Sequence, residues 1–131
     1  MTGSIVFSNP DGIHAPMGAY SHGVAVPAGA RLLFIAGQVG NRPDGSLGAT
    51  ILEQADQIFL NMLTILNANG MDPTDIVKMT TYVVDGQPGA DVGAARRKHF
   101  GAHRPTATFF YVSQLYAPEW FVEIDAIAAK V

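Results

Sequence analysis

The segment Val122-Glu123-Ile124-Asp125-Ala126-Ile127-Ala128 decides the fold, because it is an almost wholly apolar strand that carries two acids. Burying a carboxylate costs free energy unless a partner pairs with it or a reaction uses it. Glu123 and Asp125 are two positions apart, so both side chains point to the same face of the predicted sheet. Two interpretations are open: the pair is ordinary solvated surface, or one carboxylate orients a water molecule in a pocket.

The composition predicts a single globular domain over residues 1–131. Apolar residues make up 48% and charged residues 15% of the chain, which separates it from disordered sequences. The formal net charge of −3 argues against a general nucleic-acid binder. The chain has no cysteine, so thiol catalysis and cysteine metal sites are excluded. We find neither a membrane helix nor a signal peptide in the pattern, so we expect a cytoplasmic protein.

The hydrophobic periodicity predicts six strands and two helices. Capping-box spacing from Thr50 to Glu53 opens the first helix, and its apolar residues repeat at helical period until Gly70 ends it. A second, weaker helix covers 91–100. The predicted strands cover 5–7, 22–26, 32–37, 76–84, 106–112 and 120–129, and a loop at 27–30 joins the second and third strands into a hairpin. This order predicts one α+β domain.

The predicted sheet has apolar residues on both faces. Along the strand at 106–112, Phe110 and Val112 point to one face, whereas Phe109 and Tyr111 point to the other. Two helices can cover only one of these faces. Since a second copy of the chain is the least costly cover for the other face, the pattern predicts an oligomer.

A tyrosine and two histidines are further candidates for chemistry. Tyr20 sits in a Gly/Ser-rich stretch, where its ring either lines a pocket or simply packs with a solvated hydroxyl. His99 and His103 have the four-residue spacing of a helical zinc pair, but Gly101 breaks the helix between them. We therefore predict no metal site. The sequence GQVG at 37–40 lacks the lysine of a phosphate loop, which argues against a nucleotide cofactor.

Four segments, taken in order, resemble the RidA family, also called YjgF or endoribonuclease L-PSP. They are Gly18–His22, Phe34–Gln38, Asp75–Thr81 and Val122–Ala128, and the match extends from about Ile13 to Ala128. The resemblance implies a chorismate-mutase-like α+β sandwich with a mixed sheet and two helices on one face. It also implies a homotrimer with a ligand cleft at each subunit interface, and we expect no cofactor.

The better-known members of that family hydrolyse enamines and imines such as 2-aminoacrylate to 2-oxo acids and ammonia. The resemblance places their water-holding Glu on Glu123, their cleft Tyr on Tyr20 and their cleft Gly on Gly37. In those members an Arg in a Pro-Ala-Arg-Ser segment binds the substrate carboxylate, a task that suits bidentate guanidinium geometry. The matching segment here is PTAT at 105–108, so Ala107 takes the place of that Arg.

The cleft implied by the resemblance is more apolar than the usual one. Gly93 stands where an Asn is often found, and the loop Leu115–Trp120 is longer and more aromatic. Arg104 lies three residues from Ala107, an odd offset that directs it to the opposite face of a regular strand, so we do not expect it to replace the Arg. The residues expected to line the cleft are Ala107, Thr108, Phe109 and Tyr111, with Trp120 if its loop reaches over.

Two functions of different class follow. The first is a hydrolase or deaminase for a small, less anionic imine or enamine, which the presence of Glu123 and Tyr20 supports. The second is a catalytically silent trimer that binds a small molecule or a partner, which the missing Arg and Asn support. Ribonuclease action, suggested by one family name, is disfavoured by the acidic composition. We favour the enzyme, and expect neither nucleic acid nor membrane as a partner.

Overall fold

The computed structural model describes residues 3–131, and in that range the chain forms six strands and two α-helices. The strands are β1 (Val6–Ser8), β2 (Gly23–Ala25), β3 (Arg31–Gln38), β4 (Ile76–Val84), β5 (Thr106–Val112) and β6 (Val122–Lys130), and the helices are α1 (Ile51–Ala68) and α2 (Ala90–Phe100). A short 3-10 helix, Pro73–Asp75, precedes β4. The order of elements confirms the predicted α+β class.

The main sheet has four strands in the order β3-β6-β4-β5. Strands β4 and β5 are parallel, and β6 runs antiparallel to both β3 and β4, so the sheet is mixed. Strands β1 and β2 form a separate antiparallel pair. The predicted hairpin between 22–26 and 32–37 is therefore wrong: β3 pairs instead with the nine-residue β6, which offers a much longer apolar partner than the three-residue β2.

Both helices cover the same face of the sheet, as predicted. The Thr50 hydroxyl caps α1 by accepting the Glu53 N–H at 3.2 Å. The predicted capping box is only half formed, because the Glu53 carboxylate accepts the N–H of Ala49 and not that of Thr50. Gly70, just beyond the helix, has a φ of +68°, the left-handed conformation expected of it.

The core lies between the helices and the covered face of the sheet. Phe59 of α1 and Phe100 of α2 pack edge to face there, with ring centroids 4.8 Å apart. Strand β6 contributes every second residue to this core, which explains its alternation of apolar and acidic positions. Its core residues are Val122, Ile124, Ala126 and Ala128.

Gln54 is a fully buried polar side chain in this core. Its Nε2 donates to the carbonyl oxygens of Gly48 and Glu119, at 3.0 Å each, and its Oε1 accepts the N–H of Phe121 at 2.9 Å. All its polar atoms are thus satisfied, as burial requires. The three bonds fasten α1 to the segment that leads into β6, and so fix the place where β6 begins.

The opposite face of the main sheet is open. Phe34 of β3 is 70% exposed and Phe110 of β5 is 49% exposed. Phe34 pairs with Ile127 of β6, so apolar side chains continue across neighbouring strands. Large aromatic side chains exposed on a sheet face are typical of a face that another molecule covers. Separately, no helix within residues 3–131 has the length and apolarity needed to cross a bilayer.

Candidate functional site

Glu123 lies on the open face of the sheet, near the beginning of β6. Its antiparallel partner in β4 is Tyr82, and Tyr82 is in turn paired with Phe110 of β5. The rings of Tyr82 and Phe110 stack, with centroids 6.0 Å apart and 18° between their planes. The three side chains therefore stand side by side across three neighbouring strands.

Gly37 approaches the Glu123 side chain from β3. A Cβ atom at position 37 would collide with the Glu123 carboxylate, so only glycine fits beside the acid in this conformation. The pairing of β3 with β6 is irregular between Ile35 and Gln38, which is how a bulge brings backbone close to a neighbouring side chain. The structure thus brings together the acid and the glycine that the sequence analysis selected.

Asp125, the second acid of the strand, has a partner of its own. Its Oδ2 accepts the Tyr82 hydroxyl hydrogen bond at 2.9 Å. This hydrogen bond, followed by burial and by the charges of Asp125 and Glu123, raises the pKa of Tyr82 above its usual value. Asp125 therefore fixes the orientation of the Tyr82 ring.

The Glu123 carboxylate, unlike that of Asp125, has no hydrogen-bond partner within residues 3–131. Its oxygens make no ion pair in that range either. Burial, and then the neighbouring charge of Asp125, raise the pKa of Glu123 above its usual value. A carboxylate that is half-buried, unpaired and raised in pKa can orient a water molecule or accept a proton from it.

Ala107 and Phe109 lie on the other face of the sheet. Ala107 is paired in β5–β4 register with Met79, whose side chain is buried beneath the helices. Phe109 and Tyr111 pack edge to face with centroids 5.2 Å apart, and both lie against Gly89 just before α2. Within one chain, the sheet therefore separates these predicted cleft walls from the carboxylate on β6.

Thr108 shares the open face with the acid. It is paired with Thr80, which is also the β4 partner of Asp125. Tyr82 and Phe110 were not among the site residues predicted from the sequence, although both flank the acid there. Their place depends on the register between β4, β5 and β6. The sequence did carry one indication: Phe110 is two residues from Thr108 on the same strand, so both side chains point to the same face of the sheet.

Tyr20 lies in the loop before β2. Its hydroxyl accepts the N–H of Met17 at 3.2 Å, and its ring packs edge to face on His22 at 5.5 Å. The N–H of Ser21 donates to the carbonyl of Pro105 at 3.0 Å, which holds this loop beside the beginning of β5. Because β5 and β6 run in opposite directions, Tyr20 and Glu123 lie toward opposite ends of the sheet in one chain.

The two histidines with zinc-like spacing point to different partners. His99 Nε2 lies 2.7 Å from Oδ1 of Asp56, and His103 Nε2 lies 2.7 Å from the carbonyl oxygen of Ile76. Across the described chain, 3–131, no group of three or more His, Asp or Glu side chains is arranged to hold a metal ion.

The loop Leu115–Trp120 connects β5 to β6. Tyr116 is 95% exposed, and its ring centroid lies 6.1 Å from that of Trp120. Inside one chain, Tyr116 therefore projects from the fold and is available to contact another molecule. The predicted part of Trp120 in a cleft wall stays a prediction.

Comparisons with known proteins agree with this architecture. The family model described as Endoribonuclease L-PSP matches residues 12–130. A 2-iminobutanoate/2-iminopropanoate deaminase of Rattus norvegicus is 30% identical over 118 residues, which span 88% of this chain and 83% of the rat protein. The crystal structure of YyfB from Yersinia pestis, a protein of unknown function of the conserved Rid family, has a TM-score of 0.83 and 31% identity, covering 96% of this chain and 98% of that one. The structure of E. coli TdcF with bound serine has a TM-score of 0.71 and 29% identity, covering 88% and 91%.

Proposed function

Because the chain belongs to the endoribonuclease L-PSP family, also called the RidA family, we propose that it hydrolyses a small imine or enamine in a cleft between subunits. The unpaired carboxylate of Glu123, half-buried beside Gly37, is the observation that carries the proposal. Water adds to the C=N carbon while the carboxylate takes its proton, and the resulting amino alcohol releases ammonia to leave a carbonyl compound. The deaminase name of the rat relative supports this reaction type.

A complete cleft requires a second subunit. The face that carries Glu123 and the face that carries Ala107 belong to opposite sides of the same sheet. In a trimer, the acid of one subunit would meet the β5 residues of the next. The exposed Phe34 and Phe110 on the open face support such an assembly, since leaving them in water forgoes about 25 cal/mol per Å².

We expect a homotrimer in solution at micromolar concentration. Multi-angle light scattering coupled to size-exclusion chromatography measures the molar mass directly. A mass three times that of the 13.9 kDa chain is the expected result. A stable monomer under these conditions would contradict both the trimer and the shared cleft.

The substrate is proposed to be less anionic than a 2-imino acid, because Ala107 offers no charge to a carboxylate. A charged hydrogen bond is worth roughly 1.5–3 kcal/mol, so its loss would weaken binding of a small carboxylate by about 10- to 150-fold. Neutral imines would lose nothing by the change. The aromatic pair Phe109 and Tyr111, beside Ala107 on β5, offers them an apolar wall.

The experiment that tests the proposal supplies imines in situ. A flavin amine oxidase acting on small primary amines gives neutral imines, and an amino-acid oxidase gives 2-imino acids. We expect the protein to accelerate ammonia release from the neutral imines above the spontaneous rate, and from the 2-imino acids much less. Failure to accelerate either class would contradict the hydrolase and favour the alternative, a trimer that binds a small molecule without converting it.

Replacing Ala107 with Arg should raise hydrolysis of 2-iminopropanoate by about tenfold or more, since it supplies the missing charge. The variant Ala107→Gln adds a similar side-chain length without charge and serves as the matched control. The measurement is kcat/KM for 2-iminopropanoate in the coupled assay. If the wild-type protein already reaches roughly 10⁴ M⁻¹s⁻¹, another cation binds the carboxylate and this account of the substrate is wrong.

Three further predictions, of which the ligand follows from the family resemblance, complete the proposal. We propose a cytoplasmic protein, a small-molecule ligand and no nucleic-acid partner. The eleven acidic residues against eight Lys and Arg support the last of these, since RNA binding requires a basic surface.

A further inference from the structure

Three arginines line one pocket at the C-terminal end of α2, apart from the Glu123 site. The pocket has a volume of about 170 Å³. Arg96 and Arg97 reach it from the helix, and Arg104 reaches it from the turn that leads into β5. Gly93 and Ala102 form part of its remaining wall, so the pocket joins several positive charges to small, uncharged neighbours.

None of the three guanidinium groups has a carboxylate partner within residues 3–131. Arg96 donates to the carbonyl oxygens of Ala19 at 2.8 Å and His103 at 3.1 Å, and Arg104 donates to that of Gly18 at 3.4 Å. Carbonyl groups orient a guanidinium but leave its full charge in place. In the same range we find no hydrogen bond made by the Arg97 side chain.

Two neighbouring residues of the same helical turn behave differently. Lys98 and His99 both approach Asp56 of α1, at 3.3 Å and 2.7 Å. The dipole of α2 favours cations in its last turn, which accounts for a basic turn in general. It does not account for Arg104, which lies outside the helix and faces the two helical arginines. The positive charge is thus neutralised on one side of α2 and concentrated on the other.

The closeness of the arginines destabilises the charged form of Arg96. Burial, and then the charge of Arg104, lower the pKa of Arg96 from its usual value. Arg96 is half-buried and held by two carbonyl bonds, so it cannot swing away from its neighbour. A negative group placed between the arginines would remove this repulsion.

We propose that the pocket binds a small oxyanion, a phosphate or a carboxylate group, between Arg97 and Arg104, with Arg96 fixed at its wall. Each guanidinium presents paired N–H donors that match two oxygens of such a group. Gly93 leaves the helix face without a side chain beside Arg97. The volume of about 170 Å³ suits one small anion and excludes a nucleic-acid strand.

The site goes beyond the proposed hydrolysis, because it uses neither Glu123 nor Ala107, although Gly93 in its wall is also the position where the family resemblance places a cleft Asn. It is nonetheless linked to the loop that carries Tyr20, since the Arg96 guanidinium bonds to the carbonyl of Ala19. These carbonyl hydrogen bonds already hold Arg96, so they tie the wall of the pocket to this loop.

Titration with inorganic phosphate, and separately with acetate, tests the proposal at constant ionic strength. We expect saturable amide shifts in ¹H–¹⁵N spectra at Gly93, Gly101 and Ala102, and tighter binding by one anion identifies phosphate or carboxylate as the favoured group. Arg97→Gln should weaken binding about tenfold, the usual worth of one charged hydrogen bond. Arg104→Gln provides a second variant should the first fail to fold.

Arg31→Gln is the matched control, because Arg31 is an exposed arginine at the start of β3 and the charge change is identical. It should leave the affinity unchanged. Absence of saturable shifts with both anions would overturn the proposal, as would an equal loss of affinity in Arg31→Gln and Arg97→Gln. Neither outcome depends on imine hydrolysis, so the two proposals fail separately.

Discussion

Replacing Glu123 with Gln is expected to lower kcat/KM for imine hydrolysis by about 10²- to 10⁴-fold, the usual contribution of a positioned general base. The amide keeps the shape that fits beside Gly37, but it cannot accept a proton from water. The measurement uses the imine that the wild-type protein accelerates most. Asp125→Asn is the matched control, because the Asn oxygen still accepts the Tyr82 hydroxyl, and it should retain most of the activity.

The same variant should be more stable than the wild type at neutral pH. The pKa of Glu123 is raised in the folded protein, so the folded state binds its proton more tightly than the unfolded state does. The protonated Glu123 therefore stabilises the folded state relative to the charged form. This contribution is fully present below the pKa that Glu123 has in the unfolded state, and it is lost as the pH rises through its pKa in the folded state. We expect the Tm of Glu123→Gln to exceed that of the wild type at pH 8, and the difference to shrink on acidification. A variant with full turnover would assign Glu123 a purely structural role.

Replacing Gln54 with Leu should lower the free energy of unfolding by about 2–4 kcal/mol, because it leaves two carbonyl groups and one N–H without their partner in a buried or partly buried place. These groups belong to Gly48, Glu119 and Phe121. Urea unfolding followed by circular dichroism measures the loss. All samples require the same protein concentration, since assembly shifts apparent stability.

Gln57→Leu provides the control for this prediction. Gln57 lies one turn further along α1 and, within residues 3–131, its side chain donates only to that of Asn61, at 2.8 Å. Its replacement should change the free energy of unfolding by about 0.5 kcal/mol or less. Equal losses in the two variants would show that helix content, and not the buried hydrogen bonds of Gln54, sets the effect.

Local patterns predicted the elements of the fold well. Strands β4 and β5 begin and end where the β-branched and aromatic runs do, and Gly70 and Gly101 end the two helices as expected. Pairing was harder. Strand β6, the partner of β3, is separated from it by most of the chain. Whether β2 or β6 pairs with β3 depends on the lengths of these strands, which are set only in the folded sheet.

Only part of the candidate site could be predicted, because strand pairing decides which residues lie next to Glu123. A carboxylate in an apolar strand is visible in the sequence, and the resemblance joined Glu123 to Gly37. The neighbours Tyr82 and Phe110 depend on register across three strands, which no local pattern carries. The arginine pocket depends on a turn that folds Arg104 back toward α2. In the sequence, the run at 96–99 indicated only a basic helix end.

The sheet that separates the acid from the β5 residues has a genetic consequence. Suppose that each cleft takes its carboxylate from one chain and its apolar wall from the next. A defect at Glu123 and a defect on β5 then lie on opposite faces of the sheet, yet each of them disables a cleft. Chains lacking Glu123 and chains with a blocked β5 surface would each be inactive alone. Assembled together, they would regain intact clefts wherever the sound halves meet, so two recessive lesions in one gene would complement each other.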